Sequence, residues 1–497
     1  MIRPTLDEAR AMAAGCSHVP IALELFADVR TPVEALRAVR AAGHECCLLE
    51  SAQSGESWGR YTFLCFDPEA EVIGNETGGG GAVTVADADG NKRTLEGDIH
   101  ESLRAVLSGY RSPRIDYLPP FTGGFVGYFA YEYIARIEKS LKLSARDDVG
   151  YDDFRLMLFK KVIAFDSLRQ KIYLIVNIPT RELEAEYASG AALLRDIERL
   201  ILAPLPAPEP TKSIDIYAGS ARGEFEASFT KEGFCGAVER VKRHIYEGDI
   251  FQCVPSVRMR AGYDGDLLGA YRVLRTTNPS AYMFYISFGD LQIAGASPET
   301  LVSLRGGEAT TYPLAGTCPR GRDDEETEAL IAAMLADEKE LAEHDMLVDL
   351  GRNDLGKICR FGSVRVPEYR GVKKLSHVCH IASKVTGRLR EGLGALDVIA
   401  ATLPAGTLSG VPKKRACEII DGIEGLRRGV YGGAIGYIDF TGDMDMCIGI
   451  RMAVLRDGCV YVQAGAGIVA DSVPEREYDE CLRKAGAMLQ AVGGAVR

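Results

Sequence analysis

The chain has 497 residues, 46% of them hydrophobic and 26% charged, a length and balance that predict two domains of an ordinary soluble globular protein. A net charge of -12 speaks against nucleic acid or an anionic membrane as the main partner. Thirteen cysteines, scattered singly apart from Cys46 and Cys47, do not read as a disulfide framework and suit a reducing compartment.

The first fifteen residues carry acids early and lack an apolar core segment, so no secretory signal is expected. No apolar run reaches bilayer-spanning length, and a cytoplasmic location is the expectation. Residues 32–42 read as a helix, 44–51 as a strand, and 162–165 with 171–178 as a hairpin. Residues 78–81, all glycine, read as a loop. A helix over 180–202 runs into the proline-rich stretch 203–212, APLPAPEPTK, which reads as a semi-rigid linker. The expected division is therefore an N-terminal domain, 1–212, and a second domain, 213–497. The second opens with a helix over 229–247 and a strand over 251–259. A long helical run follows over 324–350, then three strands over 430–439, 446–456 and 459–466. Locally paired strands and grouped helices predict an α+β fold: antiparallel or mixed sheets packed face to face, helices outside, two domains.

The richest segment is 465–488, GAGIVADSVPEREYDECLRKAGAM. Ser472 and Glu475 fit a capping box, and Pro474 suits a first helical turn. Glu477, Glu480 and Lys484 share the edge of the apolar stripe, where they could hold a divalent ion and an anionic substrate. Gly465-Ala466-Gly467 exposes backbone N–H groups to an anion. In 446–456 the alternation sets Arg451 opposite Met446, Ile448, Ile450, Met452 and Val454. Gly449 and Ala453 beside it leave room for a carboxylate on the guanidinium. Glu340 and Glu343 share a helical face farther upstream, and an oxygen-only donor set of this kind suits Mg²⁺. His377 and His380 flank Cys379, but no second Cys/His pair has spacing for zinc. A histidine there is a candidate general base.

In chain order, GDIFQ (248–252), NPSAYMFY (278–285), ASPET (296–300), PLAGT (313–317), AEHDMLVDLGRNDLG (342–356), SHVCH (376–380), PAGTLSGVPK (404–413), YGGAIGY (431–437), IRMAV (450–454) and the 465–488 segment resemble the motifs of the chorismate-utilising enzymes. They cover most of 225–490. The resemblance implies that Glu343 and Glu480, with Glu477 close by, bind Mg²⁺. It implies that Arg451 and Tyr431 meet the enolpyruvyl side chain, and that Gly465, Gly467 and Lys484 hold the substrate carboxylates. Thr317 and Thr407 would line the ring site, Glu299 would protonate the leaving 4-hydroxyl, and His380 would serve pyruvate elimination and aromatisation.

Two positions bear on the branch of the family. Members that add water carry a lysine base where this chain has Gln252. Members that form a covalent ring adduct carry a lysine where it has Ala315. What remains is amination of chorismate at C2 by ammonia, followed by pyruvate loss to anthranilate. LLES (48–51), GRYTF (59–63) and GGFVGYFAYE (123–132) resemble the family's N-terminal part. By the same resemblance Glu50, Ser51, Pro279, Ala281, Tyr282 and Met283 would bind tryptophan as an inhibitor, with Ala281 replacing a common proline. Nothing in the chain resembles a glutamine amidotransferase, so a separate amidotransferase subunit is expected to supply ammonia. The alternatives are an aminodeoxyisochorismate or aminodeoxychorismate synthase component and, in a different class, a non-catalytic chorismate- or tryptophan-binding regulator.

Overall fold

The computed structural model describes the chain apart from residues 53–58, 78–79, 205–220, 375–377 and 494–497. Two large sheets of antiparallel strand pairs form its centre, each with twelve strands among the described residues. One runs from the edge strand Ile2–Arg3 to the edge strand Ala221–Ala227, and the other from Leu314–Pro319 to Lys92–Gly97. Phe63, Tyr173 and Ile286 from the first sheet pack with Val126, Met157 and Tyr437 from the second in one buried cluster, so the sheets lie face to face. Helices cover the outer faces. Pro32–Ala41, Leu183–Leu202, Lys231–Tyr246 and Pro474–Ala491 pack on the first sheet. Ile99–Ser108, Glu338–Gly356 and Ala395–Thr402 pack on the second. The predicted α+β layering is what forms.

The local reasons are ordinary. Pro32–Ala41 begins with a capping box, in which the Glu34 N–H donates to Thr31 Oγ1 at 3.3 Å and the Thr31 N–H donates to Glu34 Oε2 at 3.0 Å. Its buried face is Ala35, Leu36, Ala38 and Val39, and each large apolar side chain so buried stabilises the fold by about 1.5–3 kcal/mol. The expected 162–165/171–178 hairpin is Lys161–Asp166 paired with Lys171–Pro179.

The expected domain boundary near 212 falls in residues outside the description. Strands from both sides of it share each sheet: Cys46–Glu50 pairs with Tyr282–Ser287, Glu50 opposite Met283, and Gly124–Phe129 pairs with Ala434–Asp439.

Three expected elements divide. The 251–259 strand is Gln252–Cys253, paired with Gly410–Val411, and a separate strand Ser256–Tyr263. The 324–350 helix is two helices, Asp324–Ala336 and Glu338–Gly356, with Asp337 capping the second by accepting from the Lys339 N–H at 2.9 Å. The 446–456 strand is Met444–Ile448 in the second sheet and Met452–Arg456 in the first. The chain crosses between sheets at Gly449–Arg451. A Cβ on Gly449 would lie 2.3 Å from the Val430 carbonyl oxygen, and Arg451 sits at φ +54°. Period-two alternation continues through both pieces, so the pattern conceals the crossing.

Candidate functional site

Pro474–Ala491 closes the end of the first sheet, burying Tyr478, Cys481, Ala485, Met488 and Leu489. Its Pro474 takes the first helical turn as expected, but the Ser472–Glu475 capping box does not form. Val473 is the N-cap, and Ser472 Oγ instead accepts from the Val469 N–H at 3.1 Å within the preceding turn. Glu477, Glu480 and Lys484 lie half-buried along the helix edge. Lys484 Nζ donates to the Gly465 carbonyl at 3.1 Å and pairs with Glu480 at 2.7 Å. Across from them, Glu343 projects from Glu338–Gly356. Burial raises its carboxyl above the usual range, and the charges of Glu340 and Glu480 add to this. Glu477 is raised by burial and by Glu480.

Glu343 and Glu477, raised by burial and by neighbouring carboxylates in a set offering only oxygen, fit a hard divalent cation such as Mg²⁺. That ion needs one or two carboxylates and completes its octahedron with water and substrate oxygens. The glutamates do not form a closed cage. Among the described residues, the trio with all donor atoms within 4.8 Å of one another is His244, Glu247 and Asp249, whose Asp249 is already occupied by His244 and Arg415 at 2.8 and 2.9 Å.

Glu299 sits where the chain enters the strand Thr300–Arg305, and its backbone carbonyl accepts from the Ile448 N–H at 3.0 Å. Thr407 donates from Oγ1 to Glu299 Oε1 at 3.0 Å. Burial pushes the Glu299 carboxyl up to about 7, against the weaker opposing effects of the Thr407 hydrogen bond and the Lys484 charge. A carboxyl so placed holds its proton near neutrality, as a general acid must.

Thr317 and His380 are cross-strand partners. His380 Nδ1 lies 3.1 Å from the Gly316 carbonyl and 3.0 Å from Thr317 Oγ1. A carbonyl only accepts, so Nδ1 carries the proton and Nε2 is left as the basic atom. Burial lowers the pKa of His380, and the Lys373 and Arg451 charges lower it further, which keeps the ring neutral.

Arg451 is aimed by the crossing between the sheets. Its Nη1 donates to the Lys484 carbonyl at 2.7 Å, and burial lowers its pKa while Tyr431 and Glu480 oppose the shift. Tyr431 is buried, with the Arg428 guanidinium 5.6 Å from its ring centroid. Arg428 itself is fixed by Glu424 at 2.5 Å. Backbone approaches Gly465 closely, whereas Gly467 faces the movable end of a side chain. A Cβ on Gly465 would come within 2.8 Å of the Pro255 carbonyl oxygen and 3.1 Å of the Tyr431 hydroxyl, and one on Gly467 within 2.7 Å of Gln252 Nε2. The charges converge: Lys484 is felt by Glu299, Glu343 and Glu477, and Arg451 by His380. This places acid, base, cations and carboxylates around one space. Glu340, whose carboxylate lies beside Gly316, belongs to the same group; its i,i+3 relation to Glu343 was the available signal.

A second feature lies between the sheets, a cavity of about 320 Å³ whose lining includes Glu50, Ser51, Ala281, Tyr282 and Met283. Pro279, expected with them, is exposed and not part of the lining. The Glu50 carboxylate accepts from Arg275 at 2.8 and 3.0 Å and from the Tyr271 hydroxyl. Ser51 Oγ is buried with no hydrogen-bond partner among the described residues. Sequence reasoning missed Arg305, Lys384 and Asp445 in this lining. They reach it from strands of the second sheet, and nothing local in sequence marks them. His377 lies outside the described residues.

Residues 45–490 match the chorismate binding enzyme family. The chain is 42% identical over 496 residues to anthranilate synthase component 1 of Acetivibrio thermocellus, covering 99% of each chain. It is 41% identical to the protein of the same name from Pseudomonas aeruginosa, covering 97% of each. The crystal structure of anthranilate synthase component I from Streptococcus pneumoniae superposes with a TM-score of 0.75 at 36% identity, covering 93% of this chain and 98% of that one. A menaquinone-specific isochorismate synthase from Escherichia coli shares the fold at 18% identity and a TM-score of 0.67.

Proposed function

Since the chain belongs to the chorismate binding enzyme family and is a chorismate-utilising enzyme of the anthranilate synthase component 1 type, we propose that it aminates chorismate at C2 and eliminates pyruvate to give anthranilate. The observation that carries the chemistry is a Glu299 carboxyl held by Thr407 with its pKa raised to about 7, together with a neutral His380 held by the Gly316 carbonyl. Glu299 gives its proton to the departing 4-hydroxyl, which leaves as water, while ammonia bonds to C2, the ring double bonds shift and the ammonium group so formed loses a proton to solvent. His380 Nε2 then takes the C2 proton. The electron pair left behind closes the aromatic ring, and the C3–O bond breaks to release enolpyruvate, which becomes pyruvate on protonation.

Arg451, Tyr431 and Lys484, with the Gly465–Gly467 turn, orient the two substrate carboxylates. Glu343 and Glu480, with Glu477 beside them, would hold Mg²⁺, which supplies charge neutralisation at the ring carboxylate when bound. Ala315 offers no side-chain nucleophile, which supports direct amination over a covalent ring adduct. Ammonia would come from a glutamine amidotransferase partner, a reading supported by the component naming of the relatives. Tryptophan would bind in the cavity between the sheets as an inhibitor. Its size suits about 320 Å³, and the Ser51 hydroxyl, without a partner among the described residues, offers a polar contact.

The test is to incubate the purified chain with chorismate and Mg²⁺, with and without ammonium, and to identify the products. Anthranilate and pyruvate are expected only with ammonium. Product formed without ammonium, or an amino-cyclohexadiene that retains its enolpyruvyl group, would overturn the reading.

A further inference from the structure

A short hydrogen-bonded chain runs from the cavity between the sheets to Thr300, the neighbour in sequence of the acid Glu299. Tyr282 lines the cavity, and its hydroxyl lies 2.8 Å from Asp445 Oδ1 and 2.9 Å from Thr300 Oγ1. Asp445 is held from the other side by Arg305 at 3.2 Å. Its carboxylate only accepts, so the Tyr282 proton goes to Asp445 and Thr300 donates to the Tyr282 oxygen. Thr300 is 4% exposed and is the residue next to Glu299. It lines, with Glu299 and Thr407, a small pocket of about 50 Å³ on the reaction-site side.

The strand here is not regular. Between Thr300 and Val302 the register against Met444–Ile448 slips by one residue. The backbone that carries Glu299 is therefore tied down at its own carbonyl, by the Ile448 N–H, and at the Thr300 hydroxyl. One side chain from the cavity lining, Tyr282, thus ends on the residue next to the acid.

We propose that Thr300 is a positioning residue. Its hydroxyl carries the state of Tyr282, and with it occupancy of the cavity, to the Glu299 carboxyl and its Thr407 partner. This inference rests on the reading of the cavity as an inhibitor site. A ligand that turns or displaces the Tyr282 ring must break or stretch the Tyr282–Thr300 hydrogen bond. The one-residue slip lets Thr300 follow without unpairing the strand. Glu299 then leaves the position from which it protonates the 4-hydroxyl, so the effect falls on turnover more than on chorismate binding.

The experiment compares the native chain with Thr300→Val, which keeps the shape and removes the hydroxyl, and with Thr300→Ser, which keeps the hydroxyl. Tryptophan affinity is read by calorimetry, and anthranilate formation is read with ammonium as nitrogen donor. In Thr300→Val the tryptophan Kd should stay within about threefold of native, while inhibition at saturating tryptophan falls from nearly complete to less than half. Thr300→Ser should restore inhibition, which a merely structural role for the side chain would not require. Should Thr300→Val not fold, Thr300→Ala removes the same hydroxyl with less bulk. It should show the same separation of binding from inhibition. Full inhibition of Thr300→Val with unchanged binding would overturn the relay alone. Absence of tryptophan binding to the native chain would instead overturn the inhibitor reading, and the relay with it.

Discussion

In the cavity between the sheets, Glu50 is matched by Arg275 and Tyr271, and Asp445 by Arg305 and Tyr282. Around the Gly465 turn, by contrast, burial raises Glu343 and Glu477 and neighbouring carboxylates add to it, while burial and then nearby cations lower His380. Like charges held close cost free energy that the fold must offset elsewhere. The cavity is thus a satisfied box whose chief vacancy is one hydroxyl, Ser51. On the proposed reading, an ion and a dianionic substrate would relieve the charge gathered at the Gly465 turn. Perturbed groups of this kind cluster where chemistry occurs. Substitutions should therefore act on turnover at one place and on ligand affinity at the other.

The largest effect is expected at Glu299. Glu299→Gln keeps the shape but cannot give a proton, and kcat should fall by about 10²–10⁴-fold with little change in KM, as loss of a general acid does. The pH dependence follows from the same group. Its protonated form is the active one and its pKa is about 7, so kcat/KM should decline as pH rises through that value. The decline should be absent from the residual activity of Glu299→Gln. A native profile that stays level well above pH 7 would remove Glu299 from the acid role.

His380→Met should separate the two halves of the reaction. Chorismate should still be consumed with ammonium, while pyruvate release falls by about 10²–10⁴-fold, the range for a lost general base. An aminated, non-aromatic intermediate should then be recoverable. Undiminished anthranilate output would show that another group takes the C2 proton. At the carboxylates the effect is smaller. Glu480→Ala should raise the Mg²⁺ needed for half-maximal rate by at least about 10–100-fold, the range seen when support for a bound metal is removed. Since Glu343 and Glu477 are raised, the native requirement should also grow as pH falls and protons compete for them. An unchanged Mg²⁺ titration in Glu480→Ala would assign the ion elsewhere.

How much of this contrast could be read in the sequence depended on range. The carboxylates of 477–484 and the turn glycines sit within two helical turns and one strand end, and periodicity alone gathered them. The helix 32–41 was legible from Thr31, Pro32 and Glu34. The sheet crossing at Gly449–Arg451 was not, because alternation is blind to which sheet a strand joins. That crossing is nevertheless what aims Arg451. The Ser472–Glu475 capping box failed because Ser472 serves the preceding turn, a competition between two local hydrogen bonds that composition cannot rank. Asp445 and Arg305 reach the cavity through pairing of distant strands, so only the fold could supply them.

The smallest expected effect probes the satisfied side of the contrast and has opposite signs in two measurements. Ser51 Oγ is buried and unpartnered among the described residues, so the unliganded protein loses a desolvated hydroxyl in Ser51→Ala and should be unchanged or slightly more stable to denaturant. Tryptophan, however, would lose one hydrogen bond of about 1 ± 0.5 kcal/mol, and its Kd should rise about two- to tenfold. Glu50→Gln is the counter-variant. It weakens the ion pair with Arg275 rather than filling a vacancy, so it should lower stability even without ligand. If Ser51→Ala instead destabilised the free protein and left tryptophan affinity untouched, the hydroxyl would have a partner within the fold. The cavity would then lack the vacancy that distinguishes it from an ordinary gap between sheets.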